Sequence, residues 1–371
     1  KYDELTNEWY LHLFGDKQPD LNWDNPKVRQ EVIDICNFWL KMGVDGFRCD
    51  VITYISKREG LPMGKFNPVM CGDEHFVLGP KIHEYLKLVN SESWSKFDTM
   101  IVGEAIGCKV GDAESLIAED RNELDSAITF ELMEVDMKMN FFPVKLNLPK
   151  FKKVISDWQN LPANCWNTLY YENHDQPRSV SRYGSNLLVY RKEIAKMLAV
   201  SLHFLRGTPY VYQGQEIGMT NIYLEEKEYI DIMATQIFSI IRKVFPPLMP
   251  LARWAMSKRA RDHARTPMQW SAKPGCGFTT GKPWMKINPN HADINVESDL
   301  KNPNSILNFY KELISLRKGN AIIRDGSYKL HFPKHKSLFV YERALEGKSY
   351  IVICNFKEKT VHLNAVDLKA R

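Results

Sequence analysis

Val44-Asp45-Gly46-Phe47-Arg48-Cys49-Asp50-Val51-Ile52 is the stretch on which the fold turns. It is short, follows Gly43 and is punctuated by charge, which suits a buried strand whose last residues reach a cleft. Ahead of it, Asn25-Pro26 opens a helix with apolar residues at Val28, Val32, Ile33, Ile35, Phe38, Trp39 and Leu40, and Gly43 ends it. Helix then strand is the unit, and it repeats. A helical segment over 73–89 precedes the apolar run Thr99 to Gly103, which ends in Glu104. Residues 112–120 read as helix, 126–130 as strand and 151–159 as helix. The strand 166–171 runs into Glu172-Asn173-His174-Asp175, and the helix 191–205 precedes a strand over 208–212. Strands alternating with helices in this way predict a parallel sheet with crossover helices. Beyond Gly218 the rhythm breaks into a long excursion over 219–300, rich in Pro, Asn, Lys and Arg. A helix over 305–317 follows, and from about Gly326 short alternating strands predict a small antiparallel β domain.

Composition narrows the class. A chain of 371 residues with 44% hydrophobic and 26% charged side chains is an ordinary globular one, large enough for a barrel with an appendage. The net charge of +5, from 50 basic and 45 acidic residues, is too dilute to point to nucleic acid or a membrane surface. The most hydrophobic window, Ala195 to Leu205, contains Lys196 and His203 and falls short of a span. Seven scattered cysteines without a C-x-x-C pair read as reduced thiols in a cytoplasmic protein, and no histidine shows metal-ligand spacing.

Asp50, Glu104 and Asp175 close three of the candidate strands. In a parallel barrel those ends face one mouth, where side chains distant in sequence converge. Two carboxylates suffice to cleave a glycosidic bond. One attacks the anomeric carbon while the other, kept protonated, supplies a proton to the leaving oxygen, and a separation of about 5 to 5.5 Å dictates retention. Arg48 shares a strand face with Asp50 and can keep it ionised, whereas the apolar surroundings of Glu104 favour the neutral acid. Taken one at a time, carboxylates at strand ends are as often caps or surface groups. Trp254, Trp270 and Trp284 could stack sugars, although buried aromatics are commoner. The basic run 253–265 reads as a solvated loop more readily than as a phosphate site.

These segments resemble glycoside hydrolase family 13, the α-amylase family, and within it the oligo-1,6-glucosidase and α-glucosidase branch. The resemblance rests on GFRCDVITYISK at 46–57, IVGEAIG at 101–107 and YYENHDQPRSVSRYG at 170–184. QPDLNWDNPKVR at 18–29, YVYQGQEIGMTN at 210–221, ARTPMQWS at 264–271 and GFTTGKPW at 277–284 extend it, in order, along nearly the whole chain. It implies a (β/α)8 TIM barrel, with Asp50 as nucleophile, Glu104 as acid/base and Asp175 as the carboxylate that grips the distorted glucose. Arg48 and His174 match its sugar-contacting pair, Arg265 an arginine that closes the pocket around the non-reducing glucose, and Val51 a position where valine accompanies α-1,6 cleavage. Ile106 departs from better-known relatives and leaves the leaving-group side open.

Two features of the family are missing: a D-x-x-x-N-H motif and a calcium-binding loop. At about 30 residues per barrel unit the nucleophile strand expects about 100 residues ahead of it, and 43 precede Val44. The expectation is therefore an N-terminally truncated piece covering about strands 4–8, with 1–24 ending an inserted domain, 25–325 in the barrel and 326–371 in a β-sandwich-like C-terminal domain. Such a half-barrel is expected to self-associate through its open edge and to be inactive or nearly so alone. The resemblance implies no organic cofactor, no metal in this chain, and room for a structural calcium only in the missing part. It implies a small oligosaccharide substrate, with no nucleic-acid or membrane partner. The activity it implies is retaining, exo-acting hydrolysis of isomaltose-like oligosaccharides. A trehalose-6-phosphate hydrolase, sucrase or dextran glucosidase, or a non-catalytic amylase-like subunit, are the alternatives.

Overall fold

The computed structural model describes residues 1–65, 71–138, 142–184 and 188–363. The chain divides into two compact units: 1–131 with 161–168, and 132–160 with 169–371.

The first unit is built on α1 (Pro26–Lys41), β1 (Gly46–Cys49), α2 (Ile82–Glu92), β2 (Met100–Ala105), α3 (Val110–Ile117) and β3 (Ser126–Thr129). Helix α1 starts as its sequence dictates. Asn25 caps it by accepting from the Lys27 backbone N–H at 3.0 Å, and Pro26 occupies the first turn, where a missing N–H costs nothing. The three strands are parallel in the order β1-β2-β3. Cys49 stands opposite Gly103 in that register, so Asp50, just past β1, and Glu104, near the end of β2, come at the same level. A β-carbon at Gly103 would lie 2.6 Å from Leu124 Cδ1 and 2.9 Å from Ile52 Cγ2, so those side chains would have to shift to admit one.

The second unit carries α4 (Leu148–Gln159), α5 (Arg191–His203), α6 (Ile232–Val244), α7 (Met249–Arg259) and α8 (Ile306–Lys318), then β4 (Ser327–His331), β5 (Leu338–Leu345) and β6 (Lys348–Asn355). Phe151, Tyr171, Leu198, Leu202, Phe339 and Tyr341 share one core, which packs the C-terminal sheet onto α4 and α5. The buried Lys152 ammonium fastens that packing by donating to the carbonyls of Phe332, His335 and Leu338 at 2.7, 2.8 and 3.0 Å. Its desolvation pulls the Lys152 pKa down to about 8. Helices α6 and α7 enclose a satellite core of Leu224, Tyr229, Phe238, Met249 and Met256.

Several expectations shift. The helix expected from residue 73 begins at Ile82, behind a short 3₁₀ turn at Asp73–His75. The apolar runs 44–52, 166–171 and 208–212 pair over only four, two and two residues. Glu104 sits inside β2 and not after it. The C-terminal strands form one antiparallel sheet in the order β4-β5-β6, covered on its core face by helices and not by a second sheet, so the sandwich-like expectation is corrected for the described residues. Alternation in the sequence marks one buried face per strand but does not say what covers it.

Candidate active site

Four of the seven candidate residues meet in the first unit. Arg48 Nη1 bonds the Asp50 carboxylate, and its Nη2 lies 2.8 Å from Glu104 Oε2, so one guanidinium bridges both carboxylates. The Val51 backbone N–H donates to the same Glu104 oxygen at 3.2 Å. Val51 makes that bond from the left-handed region, φ 45° and ψ 39°, where a β-branched side chain is strained. The loop is held from behind by the Thr53 hydroxyl, which donates to the Ile106 carbonyl at 2.8 Å.

The two carboxylates differ in their surroundings. The Glu104 residue is 3% exposed, whereas the Asp50 side chain is 73% exposed. Burial raises the Glu104 pKa first of all. Arg48 and the Val51 N–H oppose that rise, and a hydrogen bond and charge from Asp50 reinforce it.

The other three candidates meet in the second unit. Arg265 Nη2 lies 2.5 Å from Asp175 Oδ1, and its Nε donates to the His174 carbonyl at 2.9 Å. His174 Nε2 is 3.6 Å from Asp175 Oδ2. Two further residues, missed in the sequence, complete the group. Arg261 Nη1 approaches Asp175 Oδ1 at 3.3 Å, and the buried Asp231 holds Arg261 and Arg265 together at 3.0 and 2.8 Å. The spacing of four between the two arginines was the available signal. Asp231 had none, because it reads as the helix cap that it also is, accepting from the Met233 N–H.

The basic run is correspondingly not a solvated loop. Arg253 pairs with Glu226, Arg259 with the buried Asp136 at 2.6 Å, and the last two arginines with Asp175 and Asp231. Among the described residues no cluster of three His, Cys, Asp or Glu groups could hold a metal.

Glu172 and Arg178, which flank His174 and Asp175 in sequence, form a buried ion pair. Glu172 accepts Arg178 Nη1 at 3.2 Å and the backbone N–H and hydroxyl of Ser179 at 2.8 and 2.5 Å. Arg178 also donates to the carbonyls of Gln213 and Ala264. Truncating one partner leaves a buried charge uncompensated, so Arg178→Ala is expected to lower stability by about 3 to 5 kcal/mol, read from urea unfolding.

Residues 1–326 match the alpha-amylase catalytic domain. The oligo-1,6-glucosidase of Bacillus cereus is 46% identical over 96% of the chain, and the trehalose-6-phosphate hydrolase of Bacillus subtilis is 37% identical over 95%. The chain spans 65% of the length of the first of these relatives and 63% of the second. Among solved structures, the trehalulose synthase of Pseudomonas mesoacidophila superposes with a TM-score of 0.91 at 34% identity, over 96% of this chain and 65% of that one. With the motifs in order, the carboxylates at strand ends and the match to the catalytic domain, the chain belongs to the α-amylase family of glycoside hydrolases.

Proposed function

We propose that the chain carries the catalytic carboxylates of a retaining, exo-acting α-glucosidase that hydrolyses α-1,6 bonds of isomaltose-like oligosaccharides. The observation that carries this reading is the pair Asp50 and Glu104 on adjacent parallel strands, bridged by Arg48, with only Glu104 buried and held toward its neutral form.

The chemistry follows from that difference. An Asp50 carboxylate oxygen attacks C1 of the glucosyl unit as the C1–O bond breaks, and Glu104 gives its proton to the leaving oxygen. The result is a glucosyl ester on Asp50 and a Glu104 carboxylate. Water enters, Glu104 takes its proton, the oxygen bonds to C1 and the ester opens, returning both groups to their starting forms and releasing α-glucose. Arg48 stays in place through both half-reactions, balancing negative charge as it moves between the two carboxylates. Asp175, gripped by Arg265 and Arg261, is assigned the glucose hydroxyls along with His174. Val51 is assigned to the pocket wall, where about 1 to 3 kcal/mol of linkage discrimination is the scale of one methyl group.

Among the alternatives, a phosphorylated sugar is disfavoured because Arg253, Arg259, Arg261 and Arg265 are already engaged by carboxylates. A non-catalytic subunit is disfavoured by the complete set Asp50, Glu104 and Asp175.

Residues 25–325 are assigned to the back part of the barrel, 1–24 to the end of an inserted domain and 326–371 to a C-terminal domain. Helix α1 supports the first assignment. Ile33 and Leu40 are buried on one face, while Ile35, Phe38, Trp39 and Met42, at helical spacing, are exposed on another. A helix apolar on two faces fits a place between barrel units. All seven cysteines are free. No helix among the described residues is long and apolar enough to cross a membrane.

Two measurements test the reading. Purified alone, the chain is expected to sediment as a self-associating species and to turn over isomaltose at a trace rate, and robust turnover by the monomer would sink the half-barrel assignment. Joined to the front of the barrel, it is expected to release α-glucose first from isomaltose, followed by proton NMR. Release of the β-anomer would exclude retention.

A further inference from the structure

The stretch 270–284 exposes three large aromatic rings, Trp270, Phe278 and Trp284, at 49%, 38% and 59%, where the sequence alone favoured burial of the two tryptophans. Trp284 is nonetheless fixed. Its indole N–H donates to the Arg265 carbonyl at 3.0 Å, and its ring meets Phe278 edge to face with centroids 5.0 Å apart at 81°. The residue that receives this bond is the one whose guanidinium holds Asp175. A wide apolar ring, oriented by two contacts and left open to water, is prepared for a flat partner with an apolar face, and little side-chain freedom is lost when one binds.

We propose that Trp284, braced by Phe278, is a stacking platform for a glucose unit of an α-1,6-linked oligosaccharide beyond the unit held at Asp175. The proposal rests on the α-glucosidase reading and adds a subsite to it. The C–H face of a pyranose is apolar while its hydroxyls lie around the rim, so the ring can cover an indole and keep its polar groups in water. The backbone tie to Arg265 places the platform beside the residue that grips Asp175, which makes it a device for longer substrates and for holding the chain in register.

The indole N–H gives the test its own signal. In ¹⁵N-labelled protein, the Trp284 indole resonance is expected to shift saturably on titration with isomaltotriose, with a midpoint at least about threefold lower than with glucose. The buried Trp158 serves as the internal control and is expected to stay in place. Trp284→Ala, judged by the shifts of residues around Asp175, is expected to raise the isomaltotriose midpoint about five- to tenfold and the glucose midpoint less than twofold. Trp284→Phe keeps a ring but not the bond to Arg265, and is expected to stay within about threefold of the parent.

If Trp284→Phe loses as much as Trp284→Ala, the indole acts only by holding Arg265 and the platform is wrong. Shifts around Asp175 with a silent Trp284 would overturn the platform and leave the α-glucosidase reading standing. Silence at both would overturn both.

Discussion

Asp50→Asn, in an active enzyme that contains this chain, is expected to lower kcat/KM for isomaltose by about 10³- to 10⁵-fold, or about 4 to 7 kcal/mol of transition-state stabilisation. The amide is nearly isosteric, so substrate binding survives and the loss falls on kcat. What disappears is the nucleophile: an amide oxygen cannot carry the charge that becomes an ester, and the covalent half-reaction has no other carboxylate to use. Glu104 is not expected to substitute, because it is buried and held toward its neutral form. The same substitution has a second readout that needs no turnover. Asp50 raises the Glu104 pKa through a hydrogen bond and through its charge, and the amide removes the charge. Carbon-13 NMR of the Glu104 carboxyl is therefore expected to show a lower titration midpoint in Asp50→Asn than in the parent. A variant that retains more than about one percent of the activity, or an unmoved Glu104 midpoint, would remove Asp50 from the nucleophile's role.

How much of this was legible beforehand depends on what kind of contact is asked about. The Arg48–Asp50 pairing follows from the two-residue period of a strand, and the level placement of Asp50 and Glu104 follows from parallel register, so both could be reasoned from sequence. The Arg48–Glu104 bridge could not, because it joins positions 56 residues apart and depends on a rotamer that only packing selects. Asp231 shows the same limit from the other side. Its sequence context explains it fully as a helix cap, and nothing local announces that its other oxygen gathers Arg261 and Arg265. The exposed tryptophans were misjudged for a related reason: aromatic residues are buried on average, and an average carries no information about a ring anchored at a site. Helix α1 was the opposite case. Its apolar positions were all readable, but the presence of two apolar faces became visible only when one of them was seen packed and the other not.

Glu104→Gln is the complementary expectation, and its signature lies in the choice of leaving group. With isomaltose, the variant is expected to lose about 10²- to 10⁴-fold in kcat, the scale of a lost general acid. With α-glucosyl fluoride, whose leaving group needs no proton, formation of the glucosyl ester is expected to proceed within about tenfold of the parent. The ester then persists for want of a base to activate water, and added azide, which needs no deprotonation, is expected to accelerate turnover and yield α-glucosyl azide. The pH profile separates this from a structural defect. Burial favours the neutral carboxyl, so the parent keeps its proton above the ordinary glutamic range and loses activity on the alkaline side only once that raised midpoint is passed. Glutamine has no proton to lose, and that alkaline limb, present in the parent's isomaltose profile, is expected to vanish from the variant's residual isomaltose profile. Stability obeys the same sign. A carboxyl whose pKa is raised by folding costs the native state nothing in acid and progressively more as pH climbs through the folded midpoint. Removing it is expected to leave the melting temperature unchanged in acid and to raise it slightly at neutral pH, because the pair that Arg48 loses is partly exposed and contributes little. An alkaline limb that survives in Glu104→Gln would assign the proton to another group.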